Sequence, residues 1–97
     1  MGVLKNKTTT IDVSNESKDK TTYVDLCTAC INNIPQGGLD VLEMESRLAI
    51  KKVLDKANGQ IKLERGDVTT LKSCVSSMRW LIMHDDVVTF TKDVEKL

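Results

Sequence analysis

Apolar residues recur three and four positions apart along four stretches of the chain beyond residue 20, and this spacing predicts amphipathic helices. The first predicted helix covers about residues 22–33. Thr21 or Thr22 can cap its start, because a threonine hydroxyl accepts a hydrogen bond from a free backbone N–H of the first turn. Pro35 follows closely and cannot continue the helix, so the chain must turn there.

The second predicted helix has the clearest start and stop signals. Asp40 can be its N-cap, and Glu43 three residues later completes the sequence pattern of a capping box. Asn58-Gly59 is a stop signal that tolerates a left-handed backbone. We expect the apolar side of this helix to contribute three core residues: Leu48, Val53 and Leu54.

Two further helices are predicted in the C-terminal half of the chain. Asp67 can cap a third helix over about residues 68–83, and Asp85 or Asp86 begins a fourth that runs to about Lys96. The helical step places the apolar residues of each on one face, namely Leu71, Val75, Met78 and Ile82 on the third and Val87, Phe90, Val94 and Leu97 on the fourth.

Two short segments, residues 10–14 and 60–64, alternate polar and apolar side chains as strands do. Either they pair as a two-stranded sheet, with residues 15–20 as a crossing loop and 1–9 free, or the whole N-terminal region is disordered. The composition of the arm favours disorder, because its Thr, Ser, Asn, Lys and Asp residues carry little apolar surface.

These elements predict a mainly α fold, a small four-helix domain with a short two-stranded β element if the segments pair. The helical domain spans residues 21–97, and residues 1–20 form a flexible polar N-terminal arm. A chain of 97 residues suffices for one domain. Such a small core, with three aromatic residues in the chain, suggests that self-association contributes to stability.

Charge and hydropathy argue against two classes of binding partner, nucleic acids and membranes. Fourteen basic and fourteen acidic side chains cancel, whereas nucleic-acid binders usually carry a basic stripe. No apolar run approaches the ~18–20 residues of a membrane span, and the N-terminus lacks the apolar segment of a signal peptide. We therefore expect a cytoplasmic protein without a membrane partner.

Cys27 and Cys30 form a C-x-x-C motif, which in other proteins chelates zinc or exchanges disulfides. Cys74 and His84 would complete a zinc set of four ligands, but they lie ten residues apart, which is not a familiar spacing for zinc ligands. The two motif cysteines fall inside a helix on its apolar side, where free cysteine packs well. Core packing is thus the favoured interpretation, and we expect no cofactor.

The chain carries no sequence signature of catalysis. It has no nucleophile motif, no glycine-rich phosphate loop and a single histidine, His84. The sequence His84-Asp85-Asp86 is typical of a capping turn between helices. We therefore predict that the protein is not an enzyme.

Trp80 is the candidate interaction residue. On the third predicted helix, Trp80 projects about 180° from the face of Leu71, Val75 and Met78. A lone tryptophan on a polar helix face is often an interface anchor, but the first helix or the arm can also cover it within the monomer. The predicted interaction set comprises Trp80 and its same-side neighbours Ser73, Ser76, Ser77 and His84.

Several short segments resemble small, poorly characterised proteins encoded among bacteriophage virion genes. These segments are Asn33-Ile34-Pro35-Gln36-Gly37-Gly38, Glu43-Met44, Arg47-Leu48, Met78-Arg79-Trp80 and Met83-His84-x-Asp86. The resemblance implies a phage or prophage accessory protein, located in the host cytoplasm or in the virion and acting in assembly.

The favoured hypothesis is a non-catalytic protein-interaction or assembly factor that binds a protein partner or itself. Two alternatives stay open. A nucleic-acid-binding regulator would need a contiguous basic surface built from Lys51, Lys52, Lys56, Lys62 and Arg65. A zinc-stabilised interaction module would need Cys27, Cys30, Cys74 and His84 around one ion.

Overall fold

The computed structural model describes residues 2–9, 21–80 and 83–97. Within these ranges the chain forms four helices and one two-stranded antiparallel sheet, which confirms the predicted mainly α four-helix fold with a short β element. The elements in chain order are β1 (Gly2–Lys5), α1 (Tyr23–Ile31), α2 (Val41–Lys56), β2 (Gln60–Leu63), α3 (Arg65–Ser77) and α4 (Asp85–Glu95).

The sheet pairs β2 with Gly2–Lys5, a segment that the alternating pattern did not single out. Leu4 lies opposite Ile61 and Gly2 opposite Leu63. Leu4, Ile61 and Leu63 are buried, so the register brings the apolar face of both strands onto the helices. Residues 10–14 lie outside the described residues.

The prediction that residues 1–9 are free was wrong for residues 2–9, because backbone bonds tie this segment to the start of α1. The N–H of Tyr23 donates to the Lys7 carbonyl at 2.9 Å, and the N–H of Thr9 donates to the Thr21 carbonyl at 2.8 Å. The Asn6 side chain accepts from the N–H of Val24 at 3.0 Å. The N-terminal segment is therefore part of the folded domain.

Two of the predicted caps are present. Thr22 caps α1 in a full capping box with Asp25, and the Asp40 carboxylate accepts from the N–H of Glu43 at 2.7 Å at the start of α2. The Glu43 side chain does not close a box there. It pairs with Arg47 one turn later, at 3.1 Å.

The third helix differs from its prediction at both ends. It begins at Arg65 with Glu64 as N-cap, and Asp67 occupies the third helical position, where its side chain accepts from the N–H of Glu64. It ends at Ser77, and Met78 follows in an extended conformation. The fourth helix agrees with its prediction: it begins at Asp85, and Val87, Phe90 and Val94 are buried on one face.

The core lies between the helices and the sheet. Aromatic contact contributes to it, since the Tyr23 and Phe90 rings meet edge to face with centroids 5.0 Å apart. On α2 the core residues are Ile50 and Leu54, whereas the expected core residue Leu48 is exposed. The buried apolar side chains are Leu4, Tyr23, Leu26, Cys27, Cys30, Ile31, Ile50, Leu54, Ile61, Leu63, Leu71, Cys74, Val75, Val87, Phe90 and Val94.

Candidate functional site

Trp80 does not project from a helix, because α3 ends three residues before it. The prediction that Trp80 lies on a helix, opposite Leu71 and Val75, was therefore wrong. The indole is half-buried and meets the Phe90 ring of α4 edge to face, with centroids 6.3 Å apart and an interplanar angle of 82°. Part of the tryptophan thus packs against the core, and Phe90 of α4 is one of its contacts.

The remaining indole surface borders an open hollow of about 570 Å³ at the start of α4. Of the predicted interaction set, Trp80 and His84 line this hollow together. Two apolar residues that the sequence analysis did not single out join them, the fully exposed Met83 and the exposed Val88. Ser73, Ser76 and Ser77 lie exposed on α3 and are not among the lining residues.

His84 has a local structural role at the hollow. It is the N-cap of α4, and its Nδ1 accepts the N–H of Asp86 at 3.0 Å. This ring nitrogen accepts a backbone N–H at the helix N-terminus, so it has a structural role. The predicted capping turn is therefore present.

The three cysteines are buried and free, at 0–2% exposure. Burial raises the pKa of Cys27 to about 12 and the pKa of Cys30 to about 12, so both are neutral thiols at neutral pH. Burial also raises the pKa of Cys74. Within the described ranges no three His, Cys, Asp or Glu side chains are grouped as a metal site needs, which leaves the zinc set without geometric support.

The largest run of exposed apolar side chains lies on the first half of α2 and on the linker before it. We call the set Ile34, Leu39, Val41, Met44 and Leu48 the α2 surface. Leu39 is half-buried, and the other four are 45–68% exposed. Ile34, Leu39, Met44 and Leu48 line a groove of about 430 Å³ between the linker and the helix, with Lys51 at its end.

Arg47 fixes which side of α2 faces outward. Its Nη1 donates to the carbonyls of Ile31 and Asn33, at 3.0 and 2.8 Å, and its Nε donates to Glu43. The guanidinium thereby binds the carbonyl end of α1, where helix carbonyls lack intrahelical partners. Because Arg47 and Ile50 point inward, the helical step turns Val41, Met44 and Leu48 to the outside.

Sequence analysis missed the α2 surface because an apolar stripe at helical spacing is usually core. The helix carries two such stripes, and Leu48 was assigned to the wrong one. Arg47 was the sequence feature that could have indicated the correct side. Its long cationic side chain can reach the end of α1, and this contact turns the side of α2 that carries Ile50 inward and leaves Leu48 outside.

Four of the five cations proposed for nucleic-acid binding border three separate hollows. Lys56 and Lys62 share one beside the α2–β2 turn, Lys51 lies at the α2 groove, and Arg65 lines a third hollow near Gly2 and Leu97. This arrangement gives the regulator hypothesis no specific support.

Among the described residues, no helix combines the length and the apolarity that crossing a bilayer requires. Comparisons of this chain with protein-family models, with curated proteins and with solved structures find no match.

Proposed function

We propose that this protein is a non-catalytic protein-interaction module, a phage or prophage accessory protein that acts in assembly through the α2 surface. The observation that carries the proposal is the exposure of Val41, Met44 and Leu48 on one side of a well-capped helix, next to the exposed Ile34.

Leaving such an apolar surface exposed to water is unfavourable in free energy. Single exposed apolar residues are ordinary, but contiguous apolar patches on small proteins usually mark a binding surface. Apolar side chains at positions i, i+3 and i+7 of a helix present the pattern by which helices dock on one another. Val41, Met44 and Leu48 occupy these positions.

Four chemically reactive side chains in the described ranges have structural roles, which supports a non-catalytic function. His84 caps α4 through Nδ1, and the thiols of Cys27 and Cys30 are buried with raised pKa values. The Tyr23 hydroxyl donates a hydrogen bond to the Asp93 carboxylate.

The phage assignment rests on the resemblance of short segments to proteins encoded among virion genes. Three of those segments, 33–38, 43–44 and 47–48, contribute residues to the groove or its border. The resemblance and the exposed surface thus coincide on the same part of the molecule.

The Trp80 hollow is a second surface for the same function. Its apolar walls, Trp80, Met83 and Val88, suit a protein partner. Part of the indole already packs on the core, and therefore the α2 surface is the stronger candidate.

Photo-crosslinking tests the proposal in cells that carry the gene in its natural genetic context. A photoreactive phenylalanine replaces Met44 in one variant, Val88 in a second, and the exposed Glu95 of α4 in a control. We expect position 44 to give a discrete crosslinked protein band that position 95 does not give. Crosslinking from position 88 alone would overturn the α2 assignment, and none above the position 95 level would overturn the interaction function.

A further inference from the structure

The outward side of α2 follows a seven-residue repeat. Val41 and Leu48 are seven apart, and Met44 lies between them at the three-residue step, which is the spacing of apolar residues at the seam between two packed helices. Glu45 and Lys52 are also seven apart and occupy one flank of that seam. Both are exposed, and no described residue forms an ion pair with either.

We infer that the occupant of the α2 surface is a second copy of this chain, with the two α2 helices packed antiparallel about a two-fold axis near Leu48. The inference rests on the proposed function and names its partner. An antiparallel pair brings like heptad positions on the same flank opposite each other. Glu45 then faces Lys52 of the second copy, and the two-fold axis makes this contact twice.

The charges along the whole helix favour the same orientation. Asp40, Glu43 and Glu45 lie in or before its first half, whereas its second half carries three lysines, Lys51, Lys52 and Lys56, and one acid, Asp55. Antiparallel packing sets each acidic half against a basic half and opposes the two helix dipoles. A parallel pair would instead bring Asp40 close to the second copy's Glu45, where like charges repel.

The linker widens the contact beyond the helix seam. Ile34 and Leu39 line the groove beside Met44 and Leu48, and the stem of the second copy's Lys51 can pack there. A standard interface covers about 800 Å² on each partner. The apolar seam from Val41 to Leu48 is just over one heptad long, and we expect a dissociation constant on the order of micromolar.

Sedimentation analysis of paired charge variants tests the inference. E45K places lysine opposite lysine, and K52E places glutamate opposite glutamate, so each variant alone should dimerise about tenfold more weakly than the wild type or worse. Mixed together they should form a one-to-one heterodimer, because both contacts then join opposite charges. The double variant E45K/K52E should dimerise like the wild type.

The control is E95K, which makes the same charge change on α4 and should leave the dimer unchanged. Circular dichroism of each variant separates loss of association from loss of fold. A wild-type chain that stays monomeric at several hundred micromolar, or single variants that dimerise normally, would overturn the inference. If position 44 then crosslinks a different protein, the proposed function stands while self-association fails.

Discussion

The Tyr23 hydroxyl donates a 2.7 Å hydrogen bond to Asp93 Oδ2, joining the start of α1 to the last turns of α4. The Lys7 ammonium donates to the same oxygen at 3.1 Å and lies 5.8 Å from the centre of the Tyr23 ring. One carboxylate therefore connects the N-terminal segment, the first helix and the last helix.

Replacing the tyrosine tests this connection. Tyr23→Phe keeps the buried ring and removes the hydroxyl, so we expect it to lower the free energy of unfolding at pH 7 by about 1–2 kcal/mol. Urea denaturation measures this. Thr89→Val on the exposed side of α4 is the control, and it should change the free energy by less than about 0.5 kcal/mol.

The pH dependence of the same variant gives a second check. The hydrogen bond from Tyr23, with the contact from Lys7, holds the pKa of Asp93 below its ordinary 3.8. A lowered folded pKa contributes stability that is present above pH 3.8 and is lost as the pH falls through the folded value. We expect the difference between wild type and Tyr23→Phe to shrink below pH 3.8. A difference that stays constant from pH 7 to pH 2 would contradict the role of the carboxylate.

Arg47 should resist replacement by lysine. Lysine cannot reproduce two donors from one planar group, so the carbonyls of Ile31 and Asn33 and the Glu43 carboxylate cannot all be satisfied. We predict that Arg47→Lys lowers the free energy of unfolding by about 1–3 kcal/mol, measured in urea. The matched control is Lys56→Arg on the exposed last turn of α2, and equal effects of the two would show that the contacts do not matter.

Leu4 and Val3 are neighbours on β1 with opposite environments, at 4% and 48% exposure. Leu4→Ala opens a cavity opposite Ile61 and should cost about 2–4 kcal/mol, whereas Val3→Ala should cost less than about 1 kcal/mol. Thermal and urea unfolding compare the two. Similar small effects would mean that the N-terminal strand is not part of the core.

The cysteines should react only when the domain opens. Their burial, with the pKa of Cys27 and Cys30 at about 12, predicts slow labelling by a thiol reagent at pH 8 and fast labelling in urea. A chelator should leave the free energy of unfolding unchanged. Rapid labelling of the folded protein, or stoichiometric zinc that stabilises it, would instead support the zinc module of Cys27, Cys30, Cys74 and His84.

The sequence by itself determined the parts of this protein that depend on near neighbours. Apolar periodicity predicted four helices, and the caps at Thr22 and Asp40 are where the local signals placed them. The bounds of α4 and its buried stripe follow from a start signal at Asp85 and a regular spacing. A helix closes its hydrogen bonds within four residues, and a local window therefore contains most of the information.

Where more than one local pattern was possible, only the tertiary structure decided which one the fold adopts. Residues 10–14 alternate and Gly2-Val3-Leu4-Lys5 do not, yet β2 pairs with Gly2–Lys5. A side chain at Gly2 would require Val68 to move, because an added Cβ would lie 2.7 Å from its Cγ2. Two stripes of α2 are apolar, and Arg47 together with the packing of Ile50 and Leu54 selects the inner one. The apolar pattern of α3 continues past Ser77, yet the chain leaves the helix and Trp80 packs on Phe90. These choices depend on burial between residues far apart in sequence, which no local pattern encodes.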